Sequence, residues 1–129
     1  MRKERKMRGF TLVELLIVLL ILGILIGLAV PRYLTALEKS KETTFCSNVR
    51  SIISAIETYR MNEGTQKYPD SDTLTTTIIK SASYFSQPPK NPYTGEVMEP
   101  ATSTAVIGSF TYTGSSDYII TTNPECGLK

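Results

Sequence analysis

Residues 10–30 form a run of 21 residues with a single charge, Glu14. As an α-helix rising roughly 1.5 Å per residue, the run is about 31 Å long, close to the ~30 Å hydrocarbon core of a bilayer. Five basic side chains precede it (Arg2, Lys3, Arg5, Lys6 and Arg8), opposed only by Glu4. Clustered cations stay on the cytoplasmic side, so the pattern predicts a span with its N-terminus inside and its C-terminal part outside. A buried core helix could be equally apolar. The ~100 residues that follow, however, are rich in Ser and Thr and can hardly wrap it.

A secretory signal peptide is the rival reading. Gly27-Leu28-Ala29 is a passable small-x-small cleavage site, and cleavage after Ala29 would release a secreted binding domain beginning at Val30. Against it, the apolar run exceeds the usual h-region of ~7–15 residues and contains a carboxylate. A second rival is a single-span anchored interaction protein that keeps Met1 and never polymerises. Glu14 itself has two readings. It can snorkel to the headgroups from one turn beyond Phe10, or it can await a cation supplied later, since a carboxylate within a span costs on the order of 2.5–3.5 kcal/mol.

The segment Arg8-Gly9-Phe10-Thr11-Leu12-Val13-Glu14-Leu15-Leu16-Ile17-Val18 resembles the class III signal of type IV pilins and type II secretion pseudopilins. The resemblance implies cleavage between Gly9 and Phe10 by a membrane-embedded prepilin peptidase, followed by methylation of the new Phe10 amine. It further implies that Glu14 pairs with that amine on a neighbouring subunit. Two groups that are each costly in lipid become less costly together, which favours a polymer. The implied fold is α+β and pilin-like, a long N-terminal helix packed against a small C-terminal antiparallel sheet. The implied partners are other copies of the chain, the peptidase and methylase, the membrane, and an inner-membrane assembly platform with its ATPase. The implied location is the cytoplasmic membrane as a single-pass precursor, then an extracytoplasmic or cell-surface filament.

Gly23, Gly27 and Pro31 recur every four residues. Pro31 lacks the amide that would bond the Gly27 carbonyl, and each Gly weakens a helix by about 1 kcal/mol relative to Ala. Gly23-x-x-x-Gly27 can also permit close helix packing. In the pilin-like family the segment before such a Pro is where the helix can melt, so residues 23–31 are expected to be a weak, extensible stretch.

Beyond Pro31 the helix is expected to resume. Phe45, Val49, Ile52, Ile56 and Tyr59 step by 4, 3, 4 and 3 along one face. Glu38 with Lys41 and Glu57 with Arg60 offer i,i+3 pairs, and Gly64 is placed as a C-cap. A helix over residues 10–63 would extend roughly 80 Å. Further on, Leu74, Ile78, Ala82 and Phe85 suggest a short helix capped by Ser71 or Asp72. Residues 96–99 are a candidate strand, and 109–113 with 117–122 a hairpin around Gly114-Ser115-Ser116. The expected organisation is a cleaved leader (1–9), a transmembrane and assembly half-helix (10–30), an extracytoplasmic half-helix (31–64) and a small head (65–129). The Asn91-Pro92-Tyr93-Thr94-Gly95 region is similar to the major pseudopilin and competence-pilin branch. Adhesion or motility, type II secretion and DNA uptake all remain open as the machine served.

The chain contains no His, which removes the usual general base, nucleophile–His pairs and nearly all zinc sites. No enzymatic activity, cofactor or metal site is expected. Asp70, Asp72 and Asp117 are too sparse for a calcium loop. After the leader 9 Lys/Arg face 11 Asp/Glu, so no nucleic-acid footprint stands out and that partner stays open. The C-terminal tyrosines could stack on bases, although sheet packing is the commoner use. Cys46 and Cys126 would close a loop of about 81 residues in an oxidising compartment, with two free thiols as the alternative.

Overall fold

A computed structural model of the chain describes residues 3–4, 8–64 and 66–128. Arg2, Arg5 and Lys6 of the expected leader lie outside the described residues, as do Thr65 and Lys129 at the two ends of the expected head. Helix α1 runs from Leu12 to Glu63, 52 residues with Pro31 inside it. The short helix α2, Ser71–Thr73, leads into a π-helical turn, Leu74–Ile79. Strands β1 (Ser109–Gly114) and β2 (Tyr118–Asn123) form an antiparallel hairpin, registered from Ser109 opposite Asn123 to Gly114 opposite Tyr118. The architecture is α+β. The described residues group into two compact units divided between Glu38 and Lys39.

In the second unit the apolar stripe of α1 forms one wall of the core. Phe45, Val49, Ile52 and Ile56 are fully buried, and Cys46 and Ala55 nearly so. They share one cluster with Leu74, Ile78 and Ile79, with Met98, and with Phe110, Tyr112 and Ile120 of the hairpin. Alternation in β1 sends Phe110 and Tyr112 inward, while Thr113 faces out. Gly64 ends α1 with φ of 63°, the left-handed conformation that a C-cap glycine adopts without steric cost. Glu57 and Arg60 pair at 3.9 Å, and Lys39 pairs with Glu42 at 3.3 Å in place of the expected Glu38–Lys41 contact.

Two expected elements differ. The helix expected through Ala82 and Phe85 stops at Ile79. The amide of Lys80 bonds the carbonyl of Thr75, and this wider turn brings Leu74, Ile78 and Ile79 into the core together. Its cap is Asp70, whose carboxylate accepts from the Thr73 amide at 2.7 Å, and neither Ser71 nor Asp72 fills that role. Residues 96–99 make no strand. Only a single bridge, Lys90 to Val97, forms there. The loop spends its hydrogen-bonding groups internally, with Asn91 N–H donating to the Glu96 carbonyl and Met98 N–H to that of Pro89.

Gly114 marks a close approach. A side-chain carbon there would overlap the Pro69 carbonyl oxygen and the Tyr112 hydroxyl, which bond each other at 2.8 Å.

Candidate functional site

Gly9, Phe10 and Thr11 precede the first helical residue, and Thr11 begins the hydrogen-bonding of α1 by accepting from the Leu15 amide at 3.3 Å. Thr11 and Glu14 then cap the helix reciprocally. The Thr11 amide donates to Glu14 Oε2 at 3.2 Å, and the Glu14 amide donates to Thr11 Oγ1 at 3.3 Å. This is a capping box, which satisfies donors that a helix start otherwise leaves unpaired. The carboxylate also lies at the positive end of the helix dipole. Thr11-x-x-Glu14 was readable in the sequence as a cap. Glu14 therefore has a partner within its own chain. Its second oxygen, Oε1, accepts no hydrogen bond among the described residues and can receive another donor.

Phe10 is 84% exposed, and every Leu, Ile and Val from Leu12 to Val30 is at least 47% exposed. An apolar surface of this extent does not remain in water; it needs lipid or other helices. Gly23 and Gly27 lie open on this surface, with nothing within 4 Å of where a β-carbon would be. Pro31 is accommodated within α1, and its carbonyl accepts from the Thr35 hydroxyl at 3.2 Å. Gly9, Phe10 and Glu14 are thus clustered at the start of α1, while Gly23, Gly27 and Pro31 lie two to five turns farther along.

The remaining sequence-predicted residues belong to the second unit. Cys46 and Cys126 are joined by a disulfide with an S–S distance of 2.07 Å and Cα atoms 5.5 Å apart. It ties the C-terminal segment to α1, and the Cys126 amide also donates to Thr122 Oγ1 at 3.1 Å. Arg60 lies 4.6 Å from the centroid of the Tyr68 ring and donates to its hydroxyl at 2.8 Å. That hydroxyl donates in turn to Glu57 at 3.3 Å. The Tyr68 ring meets Tyr118 edge-on at 4.8 Å, and Tyr118 stacks on Tyr112. Burial, reinforced by these neighbouring phenols, pushes the Tyr112 and Tyr118 hydroxyls above the usual range. The rings thus pack on one another. Asp117 accepts from the Tyr118 amide at 2.8 Å, so Asp70 and Asp117 both serve local backbone turns. Among the described residues, no three His, Cys, Asp or Glu side chains gather in a way that could hold a metal.

The prokaryotic N-terminal methylation motif matches residues 5–30. The chain is 29% identical over 94 residues to type II secretion system core protein G of Dickeya chrysanthemi, covering 73% of this chain and 60% of that protein. It is 29% identical over 86 residues to the protein of the same name from Pseudomonas aeruginosa, covering 67% and 59%. With that of Vibrio cholerae serotype O1 it shares 35% over 72 residues, covering 56% and 48%. The chain therefore spans between about half and three-fifths of the length of these relatives. No solved structure matches it.

Proposed function

The chain belongs to the type IV pilin and pseudopilin family, and from that premise we propose that it is a structural subunit of an extracytoplasmic filament, cut after Gly9 and polymerised through α1. The observation that carries this reading is the start of α1. An acid at Glu14 keeps one carboxylate oxygen open, four residues after Phe10, at the head of a helix whose apolar residues from Leu12 to Val30 are exposed on all sides. Cleavage would give Phe10 an α-ammonium, and methylation would leave it protonated near neutral pH. The open oxygen of Glu14 suits such a donor from a neighbouring copy, and the exposed Leu, Ile and Val side chains would then be covered by other helices.

In this reading residues 1–9 are the leader and residues 10–30 the membrane and assembly segment. Residues 31–64 and 65–129 supply the outer half-helix and head. Gly23, Gly27 and Pro31 supply a stretch of α1 that can lengthen when the filament is loaded, because the Gly27 carbonyl lacks the amide that Pro31 does not have. The chain performs no catalysis; the chemistry at Gly9 and Phe10 is done to it by the prepilin peptidase and methylase. An assembly platform and its ATPase would extract the subunit from the membrane. The relatives' name favours a secretion pseudopilus as the machine.

The test is the mass of the mature N-terminus recovered from sheared extracellular material. Methylated Phe10 is the expected terminus. Val30 would identify the secreted domain instead, and Met1 the uncleaved anchored protein.

A further inference from the structure

Arg32 stands two residues past the apolar run, just after Pro31. The positions that could reach it along the helix, three and four residues away, are Leu28, Ala29, Thr35 and Ala36, none of them acidic. Among the described residues Arg32, like Lys41 and Arg50 farther along α1, has no side-chain ion pair or hydrogen bond, but it alone of the three borders the apolar run. Next to it, Tyr33 is 66% exposed, and Leu34 and Leu37 keep the surface apolar on the far side. Arg32 is therefore a cation set into an apolar surface.

Its height along the helix identifies what surrounds it. Arg32 is 18 residues beyond Glu14, about 27 Å at roughly 1.5 Å per residue, against a hydrocarbon core of ~30 Å. If the span is seated with Glu14 at the inner boundary, Arg32 and Tyr33 arrive at the outer one. Helical side chains lean toward the N-terminus, here toward the membrane, so the guanidinium is directed at headgroup depth and away from open water. Arg32 and Tyr33 share that depth on adjoining faces of α1, about 100° apart: the ring sits at the interface while the planar fork grips phosphate oxygens. We propose that Arg32 and Tyr33 form a headgroup site for an anionic phospholipid of the outer leaflet, with the Arg32 guanidinium on the lipid phosphate. The site holds the unassembled subunit at fixed depth. The proposal rests on the membrane-spanning reading and does not depend on polymerisation.

The chain contains no Trp, so Tyr33→Trp creates a single fluorescent reporter that keeps the interfacial ring. The full chain carrying it is reconstituted in phosphatidylcholine vesicles, with brominated phosphatidylglycerol or brominated phosphatidylcholine as the quencher. Quenching acts only over short range and so ignores lipids gathered by the leader at the opposite face. An anionic surface is worth about 1 kcal/mol per basic residue, so phosphatidylglycerol should be preferred about five-fold at this site. Arg32→Gln in the same reporter should bring that preference close to one, while Arg32→Lys should retain part of it. Equal quenching by both lipids in the parent would overturn the proposal, leaving a neighbouring copy's acid as the partner of Arg32. A preference that survives Arg32→Gln would also overturn it. A chain that alkali strips from the vesicles would defeat the spanning reading itself, and the site with it.

Discussion

Replacing Glu14 by Gln, Val or Asp separates two roles that the start of α1 combines. The Glu14 side chain accepts from the Thr11 amide at 3.2 Å, which a Gln carbonyl oxygen can also do. Glu14→Gln therefore keeps the cap and removes the charge. Glu14→Val removes both, and Glu14→Asp keeps the charge but shortens the reach. Losing a cap costs a helix typically about 1 kcal/mol, whereas breaking a buried ion pair by deleting one partner costs about 3–5 kcal/mol. At about 1.4 kcal/mol per tenfold, charge removal should weaken each subunit joint roughly 100- to 4,000-fold, and cap removal about five-fold. In cells, all three variants should insert in the membrane and be cut after Gly9. Sheared extracellular filament should fall sharply for Glu14→Gln, and about five-fold further for Glu14→Val, which loses the cap as well. Thr11→Ala, which removes the hydroxyl of the same capping box, should lose only part of the yield. Comparing cell-held mature subunit with sheared filament on immunoblots gives the readout. Parental filament yield from Glu14→Gln would refute the charge pair and leave the cap as the reason for an acid at this position.

Three further outcomes are expected. Cys126→Ser should lower the stability of the head by up to about 4.5 kcal/mol, because the bond spans 80 positions of sequence and restricts the unfolded chain; an unchanged urea midpoint would show that the bond contributes nothing. Tyr112→Phe should cost about 1–3 kcal/mol in the same assay, since the Pro69 carbonyl loses a 2.8 Å hydrogen bond beside a buried ring; a midpoint shift near zero would place water at that carbonyl. The hydrogen bonds from the Thr73 backbone and side chain, set slightly against desolvation, hold the Asp70 carboxyl below its ordinary value. A folded-state value below the unfolded one adds stability that is complete above the unfolded value and is lost as pH falls through the folded one. Asp70→Asn should therefore flatten the acid limb of the stability curve below about pH 4, and an identical limb in both proteins would contradict the cap.

Local periodicity and local chemistry were sufficient to read the span, the stripe from Phe45 to Ile56, the hairpin and the processing motif from the sequence. Each depends on residues within a few positions of one another, so side-chain spacing and composition carry the signal directly. The capping box at Thr11 and Glu14 was equally local and equally readable.

The loops were decided at long range. Asn48 donates to the Lys90 carbonyl across 42 positions, and Asn91 donates to the Gly108 carbonyl across 17. These bonds anchor Lys90 and Asn91, and Glu96 and Met98 then bond back within the loop, to Asn91 and Pro89, in place of a strand partner. The same holds for the π-helical turn. Seating Leu74, Ile78 and Ile79 in one core matters more than regular helical spacing, and that core exists only once α1 and the hairpin have met. The two cysteines could be read from the sequence as a possible pair. Their Cα atoms come within 5.5 Å only because the tail is folded back onto α1. Sequence alone determined which run of the chain is long and apolar enough to cross a membrane and how its helix begins, because side-chain hydropathy and backbone capping act on each residue in place. Which loop groups bond one another was left to the tertiary structure, because those partners are distant in sequence and become neighbours only in the packed head.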